Sequence, residues 1–226
     1  TWASASKDVG NQTRAVLGSG LPWDEAAARH YRDHPNGAAG NGTVMRAAPS
    51  AVRDAAGTLD ASIEAALALA AVTHGDPAAG WGAAIVHALV HAGLRGEDPL
   101  DALPAVLDRL PAGQSRFHEV LAPDWTPERG HHPDGAVWGC LGRAVWAVRH
   151  AASFADAVTR AVDLGGDADT VAAVAGGIAG ARFGLDDIPP RWLAPLHGTI
   201  ATRDGLRTYR TEDLRDLTDR VLAAVT

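Results

Sequence analysis

Between residues 164 and 170 the chain reads Leu164-Gly165-Gly166-Asp167-Ala168-Asp169-Thr170. Two glycines let the backbone turn tightly ahead of a helix, and the two carboxylates and the hydroxyl that follow are hard oxygen donors of the kind Mg2+ or Mn2+ prefers. An ion held there with an open position polarises a leaving oxygen or orients a water. The same residues also read as simple helix caps, with acidic charge placed at the positive end of the helix. Residue types and spacing are compatible with both readings.

Three other segments have the makings of a ligand cleft. Asp8-Val9-Gly10-Asn11-Gln12-Thr13-Arg14 sets a glycine between an acid and an amide before a helix, where backbone N–H groups can meet a phosphate, although an ordinary capped turn would look the same. Ala39-Gly40-Asn41-Gly42-Thr43-Val44-Met45-Arg46 is a glycine-flanked turn followed by the chain's one methionine; the plain alternative is a β-turn with Asn41 and Gly42 at positive φ. Thr73-His74-Gly75-Asp76-Pro77 puts a histidine at a corner between helices, able to hydrogen-bond a ribose hydroxyl or simply to support the corner. His87 and His91 stand four apart on a predicted helix, as zinc ligands do, but no zincin glutamate lies between them. Cys140 is flanked by bulky apolar residues and reads as a buried thiol rather than a nucleophile.

The elements that must position these residues are helical. Asp60 can cap Ala61 to Val72, Asp76-Pro77 opens the apolar stretch that includes Trp81 to Leu94, and Asp98-Pro99 repeats the device. Asp134 precedes a stripe over Ala136 to Arg149, Ser153 with Asp156 opens the next helix, and Asp167 to Phe183 ends at Gly184. A last amphipathic helix from Thr211 should turn Leu214, Leu217, Val221 and Leu222 inward. The stretches 37–42 and 122–132 read as loops, and no period-two run marks a strand. The expectation is an all-α, compact multi-helix orthogonal bundle forming a single domain over residues 1–226.

Composition narrows the function. The 226 residues are 46% hydrophobic and 21% charged, enough apolar surface for a core. The net charge is -7, and the basic residues, arginines apart from Lys7, are scattered singly, which argues against nucleic-acid binding. One cysteine allows no internal disulfide, and the apolar runs are too broken to span a bilayer, so a soluble, cytoplasmic protein is expected.

Taken in order, Asp8-Val9-Gly10-Asn11 with Thr13, Gly40-Asn41-Gly42-Thr43 with Met45-Arg46-Ala48-Pro49, Thr73-His74 with Asp76-Pro77, and Gly165 to Thr170 running on to Gly180 and Gly184-Leu185-Asp186 resemble the blocks of the ADP-ribosylglycohydrolase family. Each block is weak alone; the ordered set is specific, and it extends from near Asp8 to about Pro189. The resemblance implies Asp167, Asp169 and Thr170 as ligands of a two-magnesium centre, with Mn2+ an acceptable substitute, and Asp169 as the catalytic participant. It implies Asp8, Gly10 and Asn11 as substrate contacts, with Asn41, Gly42, Thr43, Met45 and His74 lining the same cleft. The implied activity is magnesium-dependent hydrolysis of the bond between ADP-ribose and a protein side chain or small acceptor, the partner being that ADP-ribose conjugate. The alternatives are a non-catalytic ADP-ribose-binding pseudoenzyme and a structural helical protein. The family's N-terminal Gly-Asp segment and Thr-Asp-Asp triplet, which supply further metal ligands and an acidic catalytic residue, have no counterpart here. With Thr1 at the start, the expectation is a chain that begins inside a longer reading frame.

Overall fold

The computed structural model describes residues 9–130 and 135–225. Its centre is a helix that is apolar all round. This helix, α5 (Pro77–Leu94), starts as its sequence requires: Pro77 occupies the first turn, and Asp76 accepts a 2.8 Å hydrogen bond from the Ala78 N–H. Nearly every residue from Ala78 to Ala92 is buried, as expected of a helix with no polar face to give to solvent. Packed on it are α3 (Ala47–Arg53), α4 (Leu59–Ala71), α8 (Val137–Arg149) and α10 (Ala168–Phe183). Glycines set two of the close approaches. A Cβ at Gly82 would overlap Val137 and lie 3.0 Å from Val44 Cγ1, and one at Gly93 would lie 2.7 Å from the Ala181 carbonyl oxygen.

The peripheral helices follow from local chemistry. Helices α1 (Asn11–Leu17) and α2 (Trp23–Asp33) pair with each other, and α2 also touches α4. Short helices α6 (Leu103–Leu107) and α7 (Arg116–Val120) cover α5 and α8 respectively. Helix α9 (Phe154–Asp163) is capped by Ser153, whose Oγ accepts from the Asp156 N–H at 3.1 Å, and it packs along α10. Gly184, at φ 82, terminates α10.

The structure confirms the all-helical class and corrects some details. Thr58, not Asp60, caps α4, accepting from the Ala61 N–H at 3.2 Å, so the helix starts at Leu59. The C-terminal part contains an antiparallel hairpin, β1 (His197–Thr202) and β2 (Gly205–Arg210), joined by Arg203-Asp204 and located between the four-residue α11 (Pro190–Leu193) and α12 (Thr211–Val225). The expectation of no strands failed because both hairpin faces are open to solvent, Leu206 being 81% exposed, so no alternation of apolar and polar residues was needed. Leu214 is likewise exposed, while Leu217, Val221 and Leu222 are half-buried. Among the described residues no helix is long and apolar enough to cross a membrane.

Candidate functional site

Four of the segments singled out by their residues converge. The Gly40-Asn41-Gly42 turn is held at its base by an isolated bridge in which the Asn41 N–H donates to the Gly135 carbonyl and the Val137 N–H to that of Ala39, both at 3.0 Å. The turn therefore sits at the start of α8. Neither Asn41 nor Gly42 has positive φ, correcting the β-turn alternative. The glycines are required for a different reason: a Cβ at Gly40 would lie 3.0 Å from His74 Nε2 and 3.1 Å from Gln12 Oε1, and one at Gly42 would lie 3.1 Å from His74 Cε1. The histidine ring packs against the turn where side chains would otherwise be.

His74 is 3% exposed. It follows α4 at a corner that abuts α2, where a Cβ at Gly75 would lie 2.5 Å from the Ala27 carbonyl oxygen. Its Nδ1 is 2.7 Å from Thr73 Oγ1, which accepts a 2.7 Å hydrogen bond from Arg46 Nη2. Arg46 also donates to the Gly42 and Leu69 carbonyls. Burial, followed by the charges of Arg46 and His30, lowers the His74 pKa to about 4. It is a neutral strut at ordinary pH.

Across the turn stands the start of α10. Gly165 and Gly166, at φ 67 and 65, turn the chain out of α9, and Asp167 is the residue preceding α10. The Asp167 side chain makes no capping hydrogen bond; its Oδ2 accepts from Asn41 Nδ2 at 2.6 Å. The purely capping reading of Asp167 therefore does not describe this structure. Asp169 lies exposed in the first turn of α10, and Thr170 is buried. Beneath them lies Cys140, fully buried, its thiol pushed up to about 12 by burial and then by the Asp167 carboxylate, with an opposing contribution from a hydrogen bond to Asn41.

The remaining predicted residues divide. Gly10 and Asn11 are exposed at the start of α1, with Thr13 Oγ1 3.9 Å from where a Cβ on Gly42 would be. Thr43 is buried, and its hydroxyl donates to the Ala79 carbonyl at 2.7 Å, tying the turn to α5. Met45 is half-exposed on the 3-10 turn Val44–Arg46. Asp8, His131 and His132 lie outside the described residues. His87 and His91 do not share a metal: His87 Nε2 is 2.8 Å from Ser50 Oγ and its Nδ1 3.1 Å from Ser62 Oγ, while His91 Nε2 is 3.0 Å from the Gly57 carbonyl. Sequence reasoning had no role for Gln12 or Thr73. Both nevertheless lie inside segments that were singled out, Gln12 beside Gly10-Asn11 and Thr73 in the Thr73-His74 block.

A helical fold that brings a double-glycine acidic helix start against a Gly-Asn-Gly turn supported by a buried histidine defines a class, and the chain belongs to it: the model of the ADP-ribosylglycohydrolase family matches residues 1–226. The chain is similar to ADP-ribosylarginine hydrolase Tri1 of Pseudomonas putida (strain GB-1), 32% identical over 189 residues, covering 82% of this chain and 49% of that protein. It is similar also to the ADP-ribosyl-[dinitrogen reductase] glycohydrolase of Rhodospirillum rubrum, 30% identical over 189 residues, covering 84% of this chain and 60% of that protein. A solved structure titled ADP-ribosylglycohydrolase-related protein complex superposes with a TM-score of 0.63 at 27% identity, over 94% of this chain and 76% of that one. The chain thus spans about half to three-fifths of the length of these two curated relatives.

Proposed function

We propose that this chain hydrolyses the glycosidic bond between ADP-ribose and a protein side chain or small acceptor, with magnesium held at Asp167, Asp169 and Thr170. The observation that carries this reading is the hydrogen bond from Asn41 to Asp167. It joins two family blocks far apart in sequence, and it engages a carboxylate that a simple cap would have turned back on its own helix.

The donors fit a hard divalent ion in kind. Asp167 and Asp169 carry carboxylates, Thr170 a hydroxyl, and the left-handed turn at Gly165-Gly166 leaves Asp167 facing Asn41 instead of its own helix N–H groups. When bound, such an ion would hold the ribose diol and orient a water whose oxygen bonds to the anomeric carbon and whose proton goes to the departing acceptor. The chain's own residues account for the rest of the proposed mechanism. Asn41 fixes the Asp167 carboxylate, so that it need not reorganise as charge develops. Asp169, exposed beside it, stabilises the oxocarbenium-like positive charge on the sugar as the bond to the leaving group breaks. Gly10 and Asn11, at the start of α1, offer an N–H and an amide to the polar part of ADP-ribose. Met45 offers an apolar face.

A second reading, binding without turnover, is favoured by one observation: among the described residues no group of three or more His, Cys, Asp or Glu side chains converges to hold a metal. One titration separates the readings. Magnesium chloride is added to the chain with and without ADP-ribose, and release of ADP-ribose from an ADP-ribosylated arginine is followed in parallel. The proposal expects magnesium-dependent release that Asp169→Asn abolishes. Binding without release supports the second reading, and neither binding nor release overturns both in favour of a helical scaffold.

A further inference from the structure

We propose that Arg46 and Thr73 are positioning residues that hold His74 as the uncharged Nε2–H tautomer beneath the Gly40-Asn41-Gly42 turn. A guanidinium can only donate, so the 2.7 Å contact from Arg46 Nη2 makes Thr73 Oγ1 an acceptor. Thr73 is buried, and its own hydroxyl hydrogen needs a partner. His74 Nδ1, at 2.7 Å, supplies it only if that nitrogen carries no proton. A protonated Nδ1 would instead donate to the same oxygen, leaving the buried hydroxyl hydrogen without this acceptor. The proton of neutral His74 therefore sits on Nε2, the nitrogen that faces Gly40.

Gln12 is held in a complementary way. Its Nε2 donates to the Thr73 carbonyl at 3.4 Å, and its Oε1 faces the same Gly40 position as His74 Nε2. A donor from the corner and an acceptor from α1 thus form the floor of the turn that carries Asn41. The charged groups acting on His74 are Arg46, from the 44–46 turn, and His30, from α2. Both disfavour a second proton on the ring. Arg46 also donates to the Gly42 carbonyl, so a single cation holds the turn directly and, through Thr73, holds the ring beneath it.

The test is a long-range 1H–15N correlation spectrum of the histidine-labelled chain, with the His74 signals assigned by their loss in His74→Asn. The wild-type chain should show Nδ1 unprotonated and Nε2 protonated. Thr73→Val, which keeps shape and loses the hydroxyl, should give mixed tautomers, and Thr73→Ser should restore the single form. Arg46→Met, at a side chain partly open to solvent, should also give a mixture and serves the same comparison if Thr73→Val does not fold. Insofar as the effect reaches ligand binding it rests on the ADP-ribose reading above: with magnesium chloride present, Thr73→Val should weaken ADP-ribose binding about ten-fold. If the tautomer responds but ADP-ribose binds neither chain, the relay stands and the ligand reading falls. If His74 nitrogens are unchanged in both Thr73→Val and Arg46→Met, the relay is overturned whatever the affinity.

Discussion

Acidification should destabilise this fold through His74, and the size of the effect can be worked out. The ring has an ordinary pKa near 6.5 when unfolded and one of about 4 in the folded chain, where burial, Arg46 and His30 oppose the cation. Between those values the unfolded state binds the additional proton. The contribution of His74 is therefore fully present above about pH 6.5, declines as pH falls toward about 4, and levels off below. A full shift of this size corresponds to about 3 kcal/mol, of which about 2 kcal/mol is lost by about pH 5. The perturbation is His74→Asn, which keeps a polar group near Nδ1 and cannot titrate. Urea unfolding of both chains at about pH 7.5 and about pH 5 isolates the His74 contribution, because His87, also lowered by burial, titrates in both. The wild-type midpoint should fall further than the variant's, by on the order of 0.5–1 M urea. Equal falls in the two chains would refute the claim that the corner is built for a neutral ring.

Other expectations follow from individual contacts. Asn41→Ala removes the donor to Asp167 and should weaken ADP-ribose binding measured by calorimetry about ten-fold or more, because a hydrogen bond to a carboxylate is worth about 1.5–3 kcal/mol. Gly75→Ala forces a Cβ against the Ala27 carbonyl and should lower stability in urea by about 1–3 kcal/mol, detaching α2 from the corner. Cys140, buried and pushed up to about 12, should react slowly with a thiol reagent in the native chain and rapidly in urea; fast native labelling would contradict the packing beneath Asp167.

What the sequence made legible was local. Asp76-Pro77, Ser153 with Asp156, and Gly184 each act within a few residues of themselves, and each marks the helix end it was expected to mark. Thr58 was missed because Asp60, two residues on, carries an equally good capping group, and only the backbone path decides between them. The hairpin at 197–210 leaves no period-two trace because neither face is buried. At the site, ordered motifs identified which blocks belong together, but not how. That Asn41 turns to Asp167, that Thr43 is committed to Ala79, and that Gly40 and Gly42 make room for a ring and not for positive φ are consequences of packing between distant segments. Nothing in the spacing of Thr73, Arg46 and Gln12 indicates that they meet.

The paired left-handed glycines also fix a length. Only Leu164 to Asp167 separate α9 from α10, and the two helices pack along each other. Each residue of an α-helix advances the direction of its side chains by about 100°. Removing or inserting one residue here, unless the link itself absorbs it, would shift α10 by one residue against α9 and turn Asp169 by about 100° away from its present surroundings. Related chains can therefore vary loops elsewhere more freely than here, where the residue count itself acts as an angular gauge.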